Sequence, residues 1–386
     1  MLPKGGEVKI DGRQTALEAA RYRIESMSTE SPAPKPDLVG WTHFAQRAEA
    51  AGIEQVLISF SRYEPDPFLV ACALGQAVEK LKFIIAYRSG LMQPTTFVQQ
   101  MNTASALVQG RVAFNIVAGS SSAEQHGYGD FLSHDERYAR AEEFLAVCNA
   151  FWCGDEAVDF DGRYYRVEKG KIATPFVAGD PVGASSASAA SSGVSAASSG
   201  ASAAASGASG RTRPEIYVSG HSPRSEELAY SQGTCWLRVA EAPEKLAPIV
   251  ARARERGVGV CLRLCLVCRP TRNEAIAVVE SLLPADRAES TTTLKDDSQM
   301  YREGKSVKSD EHWLTESLWT GLVPHYGPVW TTLLGSPREI ADALLEYERI
   351  GVTEFIISGW PELDTVETFG REVLPLVRKS REDSVA

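Results

Sequence analysis

The chain has no apolar run that approaches the roughly 20 residues needed to cross a bilayer. Its start, Met1-Leu2-Pro3-Lys4-Gly5-Gly6-Glu7, has no signal-peptide core, so a cytoplasmic location is expected. There is no basic block and no interleaving of basic with aromatic residues. With a net charge of −10, this excludes nucleic acid or an anionic membrane as the main partner. A disulfide framework is missing too. The seven cysteines, at 72, 148, 153, 235, 261, 265 and 268, are odd in number and scattered, as expected of reduced thiols. Cys261 and Cys265 share one face of a strand-like run and Cys268 the other. No second cysteine pair or histidine cluster stands near them, and zinc needs four converging ligands. They read as small core residues, and no metal is expected.

What is present is an alternation. At 386 residues with 44% hydrophobic content, the chain can form one large domain or two ordinary ones. Strand-like apolar runs cover 53–60, 81–87, 111–119, 215–220, 234–239, 258–268 and 353–359. Helical patterns cover 37–52, 68–78, 95–108, 134–152, 223–233, 243–257, 273–283, 337–351 and 364–379. Asp37 is a fitting N-cap for the first of these and Gly52 a fitting residue just past its end. Near-continuous apolar strands alternating with helices predict a parallel sheet covered on both faces. Eight such units close into a (β/α)8 TIM barrel, here one α/β domain over 1–386. A doubly wound open sheet is the runner-up; it lacks a glycine-rich nucleotide fingerprint after an early strand.

Only Met1-Leu2-Pro3 precede a Gly-Gly pair, so the first barrel strand reads as truncated. Residues 182–210 are almost pure Gly, Ala and Ser, a composition that cannot bury a core and suits a flexible loop insertion. Residues 284–312 are charged and poor in apolar groups, as expected of a mobile lid on the barrel's C-terminal side.

Asn115 lies near the C-terminal end of an otherwise apolar strand, where a polar group is costly unless something meets it. In parallel α/β folds ligand sites form at those strand ends. Tyr217-Val218-Ser219-Gly220-His221-Ser222 ends a second strand in a small polar turn that opens a helix. Its backbone N–H groups and Ser222 suit a phosphate; equally, Ser222 or His221 could simply cap the helix. Tyr138 belongs either to that site or to the core.

Taken in order, Leu81–Pro94 (LKFIIAYRSGLMQP), Gly110–Gly119, Phe131–Phe144 (FLSHDERYARAEEF), Tyr217–Ser222, Leu334–Val352 and Phe355–Leu363 (FIISGWPEL) resemble the bacterial luciferase-like flavin monooxygenases. Within these the FMNH2-dependent alkanesulfonate monooxygenases are the most similar. The resemblance implies a barrel that binds reduced FMN supplied by a separate NAD(P)H-dependent flavin reductase. It implies O2 as co-substrate, a C4a-(hydro)peroxyflavin, a small organic substrate, and a homo-oligomer, dimer or tetramer. By motif, Asn115 and Ala118 would contact the flavin ring, and Tyr138, Gly220, His221 and Ser222 would hold the ribityl phosphate.

The sequence departs from the sulfonate enzymes at the substrate end. Glu64 stands where they carry Cys after the second strand, Val239 replaces Trp, and Cys265 replaces His two residues beyond the retained Arg263. Trp360-Pro361-Glu362 replaces Tyr-Pro-His, and Pro324-His325-Tyr326 stands where an Arg is expected. Arg263, Glu64, Trp360 and His325 are the candidate catalytic residues. Gaining carboxylates while losing Tyr, His and Arg suits a permanent anion poorly, so a neutral or cationic non-sulfonate substrate is expected. The alternative is that Glu64 and Glu362 point to solvent and that Arg263 merely pairs with Glu241. Two other functions stay open: a deazaflavin (F420) oxidoreductase on the same barrel, and a non-catalytic flavin-binding relative.

Overall fold

The computed structural model describes residues 37–62, 64–119, 122–154, 156–179, 212–283, 312–359 and 362–385. The expected first strand, the Gly/Ala/Ser insertion, Trp360 and all of the expected lid except His312 lie outside the described residues.

Among the described residues the strands are β1 (Gln55–Ile58), β2 (Lys82–Tyr87), β3 (Val112–Ile116), β4 (Val158–Asp161), β5 (Arg166–Gly170), β6 (Ile216–Ser219), β7 (Cys235–Val239), β8 (Gly259–Cys268), β9 (Leu318–Trp319), β10 (Thr332–Gly335) and β11 (Glu354–Gly359). The helices are α1 (Leu38–Ala50), α2 (Pro67–Leu74), α3 (Pro94–Leu107), α4 (Ser122–Gly127), α5 (His134–Cys153), α6 (Pro223–Gln232), α7 (Pro243–Glu255), α8 (Arg272–Ser281), α9 (Val323–Tyr326), α10 (Pro337–Arg349), α11 (Glu362–Thr368) and α12 (Leu374–Val385). Strands β1, β2, β3, β6, β7, β8 and β11 are joined in that order by parallel pairing. They correspond to the seven apolar runs read from the sequence.

Local chemistry sets the helix starts. Asp37 caps α1 by accepting from the Gly40 N–H at 2.9 Å. Full capping boxes open α5 (Ser133 with Glu136), α8 (Thr271 with Glu274) and α10 (Ser336 with Glu339). The closing helix expected over 364–379 is instead α11, a π turn at Phe369–Val373, and α12. The wider turn falls where Gly370 passes so close to Ala51 that a Cβ would lie 2.4 Å from the Ala51 carbonyl oxygen. Two features were not expected. β4 and β5 form a separate antiparallel hairpin. β10 pairs with the C-terminal half of β8, Thr332 opposite Cys265, and then with β9, so the sheet forks at β8.

Side chains alternate along each strand. One face contributes Leu57, Ile84, Ala86, Ala113, Tyr217, Cys235, Leu237, Cys261 and Ile356, from all seven strands of the β1-to-β11 series, to a single buried cluster. The sheet also curls: Gln55 at the start of β1 donates to Glu354 at the start of β11 at 3.4 Å, although these strands end the pairing path. The cluster is therefore the filling of a barrel, and the opposite faces pack under the helices. Five cysteines, 148, 235, 261, 265 and 268, are buried; Cys72 is half-buried and Cys153 exposed. Burial pushes the thiols of Cys148, Cys235, Cys261 and Cys265 up.

At the barrel's N-terminal end the Tyr217 hydroxyl donates to Glu354 at 2.6 Å, and the Lys82 ammonium sits 2.7 Å from Glu215. Burial raises the Glu354 carboxyl above its ordinary value, with Glu215 and Glu54 adding repulsion and Tyr217 and Lys82 opposing it. A carboxyl raised on folding binds more protons folded than unfolded. Its contribution is full below the ordinary value of 4.5 and is lost as pH rises through the folded value. Thermal midpoints between pH 5 and 8 should therefore fall less steeply in Glu354→Gln, which keeps an acceptor for Tyr217, than in the parent. Parallel curves would mean that Glu354 titrates normally.

Candidate active site

Continuing the inward face past the apolar filling gives, at the C-terminal strand ends, Ser59, Arg88, Asn115, Ser219, Val239, Arg263 and Ser358. A rim that is polar at six of seven positions thus stands on an apolar floor. Asn115 is 3% exposed, and its Oδ1 accepts from the Ser219 hydroxyl at 2.7 Å. That bond fixes the amide, leaving its NH2 as the group offered to a ligand.

Next to Ser219 the chain turns into α6. Gly220 holds φ at +151, and a Cβ there would lie 2.6 Å from both the Tyr138 hydroxyl oxygen and the Ser225 Cβ. Only glycine fits. Ser222 caps α6 by accepting from the Ser225 N–H at 3.2 Å, and Tyr138 donates to the Ser219 carbonyl at 3.4 Å. Burial pushes the Tyr138 phenol up, so it stays a neutral donor. The arrangement is a cradle: a helix start, two serines, a phenol and no side chain at its base. The bare capping role and the ligand role of Ser222 therefore coexist.

His221 is used differently. Its Nε2 accepts from the Val239 N–H at 2.9 Å, which places its proton on Nδ1, 3.9 Å from Glu241. The ring ties the turn to the end of β7, and what His221 offers a ligand is its backbone. Trp236 reinforces the turn by donating from Nε1 to the Gly220 carbonyl at 2.9 Å, with Arg238 stacked 4.4 Å from the Trp236 ring. Arg238 pairs with Glu241 at 2.9 Å. Arg263 occupies the inward face of β8, two residues past Cys261.

Glu64 reaches back over the rim: its Oε1 accepts from the Ser59 hydroxyl at 2.7 Å. This favours a place in the mouth over one in solvent. His325 is buried in α9, beside Tyr326, which donates to the Leu282 carbonyl at 2.9 Å. Ala118 is buried just past β3.

Sequence reasoning missed Arg137. This guanidinium is 1% exposed and donates to the carbonyls of Ala118 (2.9 Å), Leu132 (2.8 Å) and Gly119 (3.3 Å). It fixes the loop that carries Ala118 against the start of α5. A separate cleft of about 630 Å3, walled by Met92, Phe131, Arg140, Tyr164 and Tyr165, shares none of the rim residues.

Known proteins share this architecture. EDTA monooxygenase from Chelativorans sp. BNC1 superposes with a TM-score of 0.66 at 20% identity, over 89% of this chain and 87% of that one. DmoA from Hyphomicrobium sulfonivorans gives 0.63 at 20%, over 95% and 84%. An F420-dependent secondary alcohol dehydrogenase gives 0.60 at 19%, over 89% and 96%. The model of the luciferase-like monooxygenase family matches residues 20–354, most of the chain. With its curled parallel sheet and polar rim, this chain belongs to the luciferase-like monooxygenase family.

Proposed function

We propose that the protein is the oxygenating component of a two-component system. It takes reduced FMN from a separate NAD(P)H-dependent flavin reductase and uses O2 to oxygenate a small organic molecule other than a simple alkanesulfonate. The observation that carries this is the Gly220 cradle, joined through Ser219 to the buried amide of Asn115. The donor set fits FMN: neutral N–H and O–H groups at one end suit a phosphate, and a buried amide beside an apolar floor suits a ring. Tyr138, Ser222 and the backbone of Gly220 and His221 would hold the phosphate. Asn115 and Ala118 would meet the ring, and the apolar floor would keep water from it. Bound reduced flavin supplies the activation of O2. Glu64, bonded to Ser59 just past β1, and Arg263 on β8 flank β11 and would face the substrate. A carboxylate on the rim, with Val239 in place of a large ring, supports a neutral or cationic substrate over a sulfonate. A homo-oligomer, dimer or tetramer, goes with this reading.

Anaerobic titration with reduced FMN, followed by mixing with O2, tests it. Expected are tight binding of the reduced flavin and a transient absorbing species before oxidised flavin returns. Binding of reduced F420 in preference to FMN would replace it with a deazaflavin (F420) oxidoreductase on the same barrel, the cofactor named for one structural relative. Efficient sulfonate turnover would refute the substrate assignment alone.

A further inference from the structure

Arg88 takes no part in the flavin reading, yet it is the least satisfied charged group on the rim. It follows Ile84 and Ala86 on the face of β2 that fills the barrel. The residue is 5% exposed, and its Nη2 donates to Glu124 Oε2 at 2.6 Å. The guanidinium carbon lies 5.2 Å from the Phe60 ring centre and 5.7 Å from that of Tyr128. Its Nε and Nη1 are buried and have no hydrogen-bond partner among the described residues. A guanidinium can only donate, and buried N–H groups without acceptors are costly and uncommon. Here two of them are held in place by an ion pair and two aromatic rings.

We propose that these donors receive a neutral carbonyl oxygen of the substrate, so that Arg88 selects the substrate class: a ketone, ester or amide. The proposal rests on the flavin monooxygenase reading and adds the acceptor to it. The acceptor is neutral because Arg88 is already balanced by Glu124. The groups acting on the Tyr128 phenol are Glu124 and Glu64 against Arg88 and Arg62, two of each sign. A full anion at Arg88 would meet both carboxylates with no cation in excess. The rings of Phe60 and Tyr128 wall the position with apolar surface, as a neutral organic group requires. The carbonyl belongs to the substrate rather than to the flavin by place: Arg88 follows the end of β2, on the far side of β3 from the Gly220 cradle that follows β6.

The test compares the parent with Arg88→Lys, which keeps the charge and the Glu124 pair but cannot offer both free donors. Reduced FMN is titrated anaerobically into each. The flavin complexes are then titrated with 2-heptanone and with heptanoate as probes. Expected are a parent that takes the ketone in preference to the acid, and a variant that loses about tenfold in ketone affinity with flavin affinity unchanged. Glu124→Gln, read in the same way, should move the preference toward heptanoate by about tenfold, because it removes the balancing charge; this arm holds even if the lysine variant folds poorly. Equal ketone binding in parent and Arg88→Lys, no ketone binding by the parent, or a preference for heptanoate in the parent would overturn the proposal. So would a loss confined to reduced FMN, since the donors would then serve the flavin. Failure of the parent to bind reduced FMN is a different result, and it would remove the flavin reading along with what rests on it.

Discussion

A Gly220→Ala protein is expected to bind reduced FMN about 100-fold more weakly than its parent. Two causes add. The backbone at φ +151 is a conformation that an L side chain adopts only with strain of about 1–3 kcal/mol. The new methyl would also press on the Tyr138 hydroxyl and on Ser225, both at 2.6 Å, so the turn must open and the cradle with it. A displacement worth about 2.7 kcal/mol corresponds to that factor of 100. Anaerobic fluorescence titration measures it. Because one of the two contacts is with a hydroxyl, adding Tyr138→Phe to Gly220→Ala should restore part of the affinity, whereas Tyr138→Phe alone should weaken binding by removing a donor. Parent-like affinity in Gly220→Ala would mean that the phosphate is held elsewhere.

The second large effect is expected on stability. Arg137→Met should lower unfolding free energy by about 3–5 kcal/mol, because three carbonyls lose a charged donor and two or more stay buried without one. Denaturant unfolding, followed as the shift in midpoint at constant slope, checks it. Arg137→Lys should recover only part, since one ammonium on a flexible stem cannot reproduce the planar fork that spans Ala118, Gly119 and Leu132. Flavin binding should fall with stability in both variants, as Ala118 is one of the positions moved. An unfolding midpoint within error of the parent would show that the loop after β3 does not depend on this clamp.

The fold was legible wherever one local signal fixed one element. Strands covered on both faces read as continuous apolar runs, which is why β1 through β3 and β6 through β8 could be placed. The capping boxes at Ser133, Thr271 and Ser336 are three-residue patterns that need no tertiary information. The β4–β5 hairpin was missed because Val-Asp-Phe-Asp and Arg-Val-Glu-Lys-Gly are short, largely exposed and poor in apolar residues. β10 was missed because it is four residues long and pairs with the far half of β8 and with the two-residue β9.

The site was legible in a different measure. Asn115 stood out as a polar residue in an apolar strand, and Gly220 as a glycine between a strand and a helix. Arg137 stood among Asp135, Glu136 and Arg140, where one more charge carries no signal; its burial follows only from how α5 lies on the loop after β3. Arg88 is similar, since its partner Glu124 lies 36 residues on in α4 and only the fold brings the two together. His221 is a different case: its place next to the cradle was legible, but the bond that its ring accepts from the Val239 N–H at the end of β7 was not.

The sealed thiols make the barrel its own clock. Cys235 and Cys261 come from adjacent strands of the filling, and Cys265 and Cys268 from β8 further along, while Cys153 alone lies open. A thiol reagent added to the native protein meets Cys153 at once and Cys72 more slowly, and it reaches the strand cysteines only when the strands part. The later phases of labelling therefore report how often the barrel opens, residue by residue, with no probe introduced.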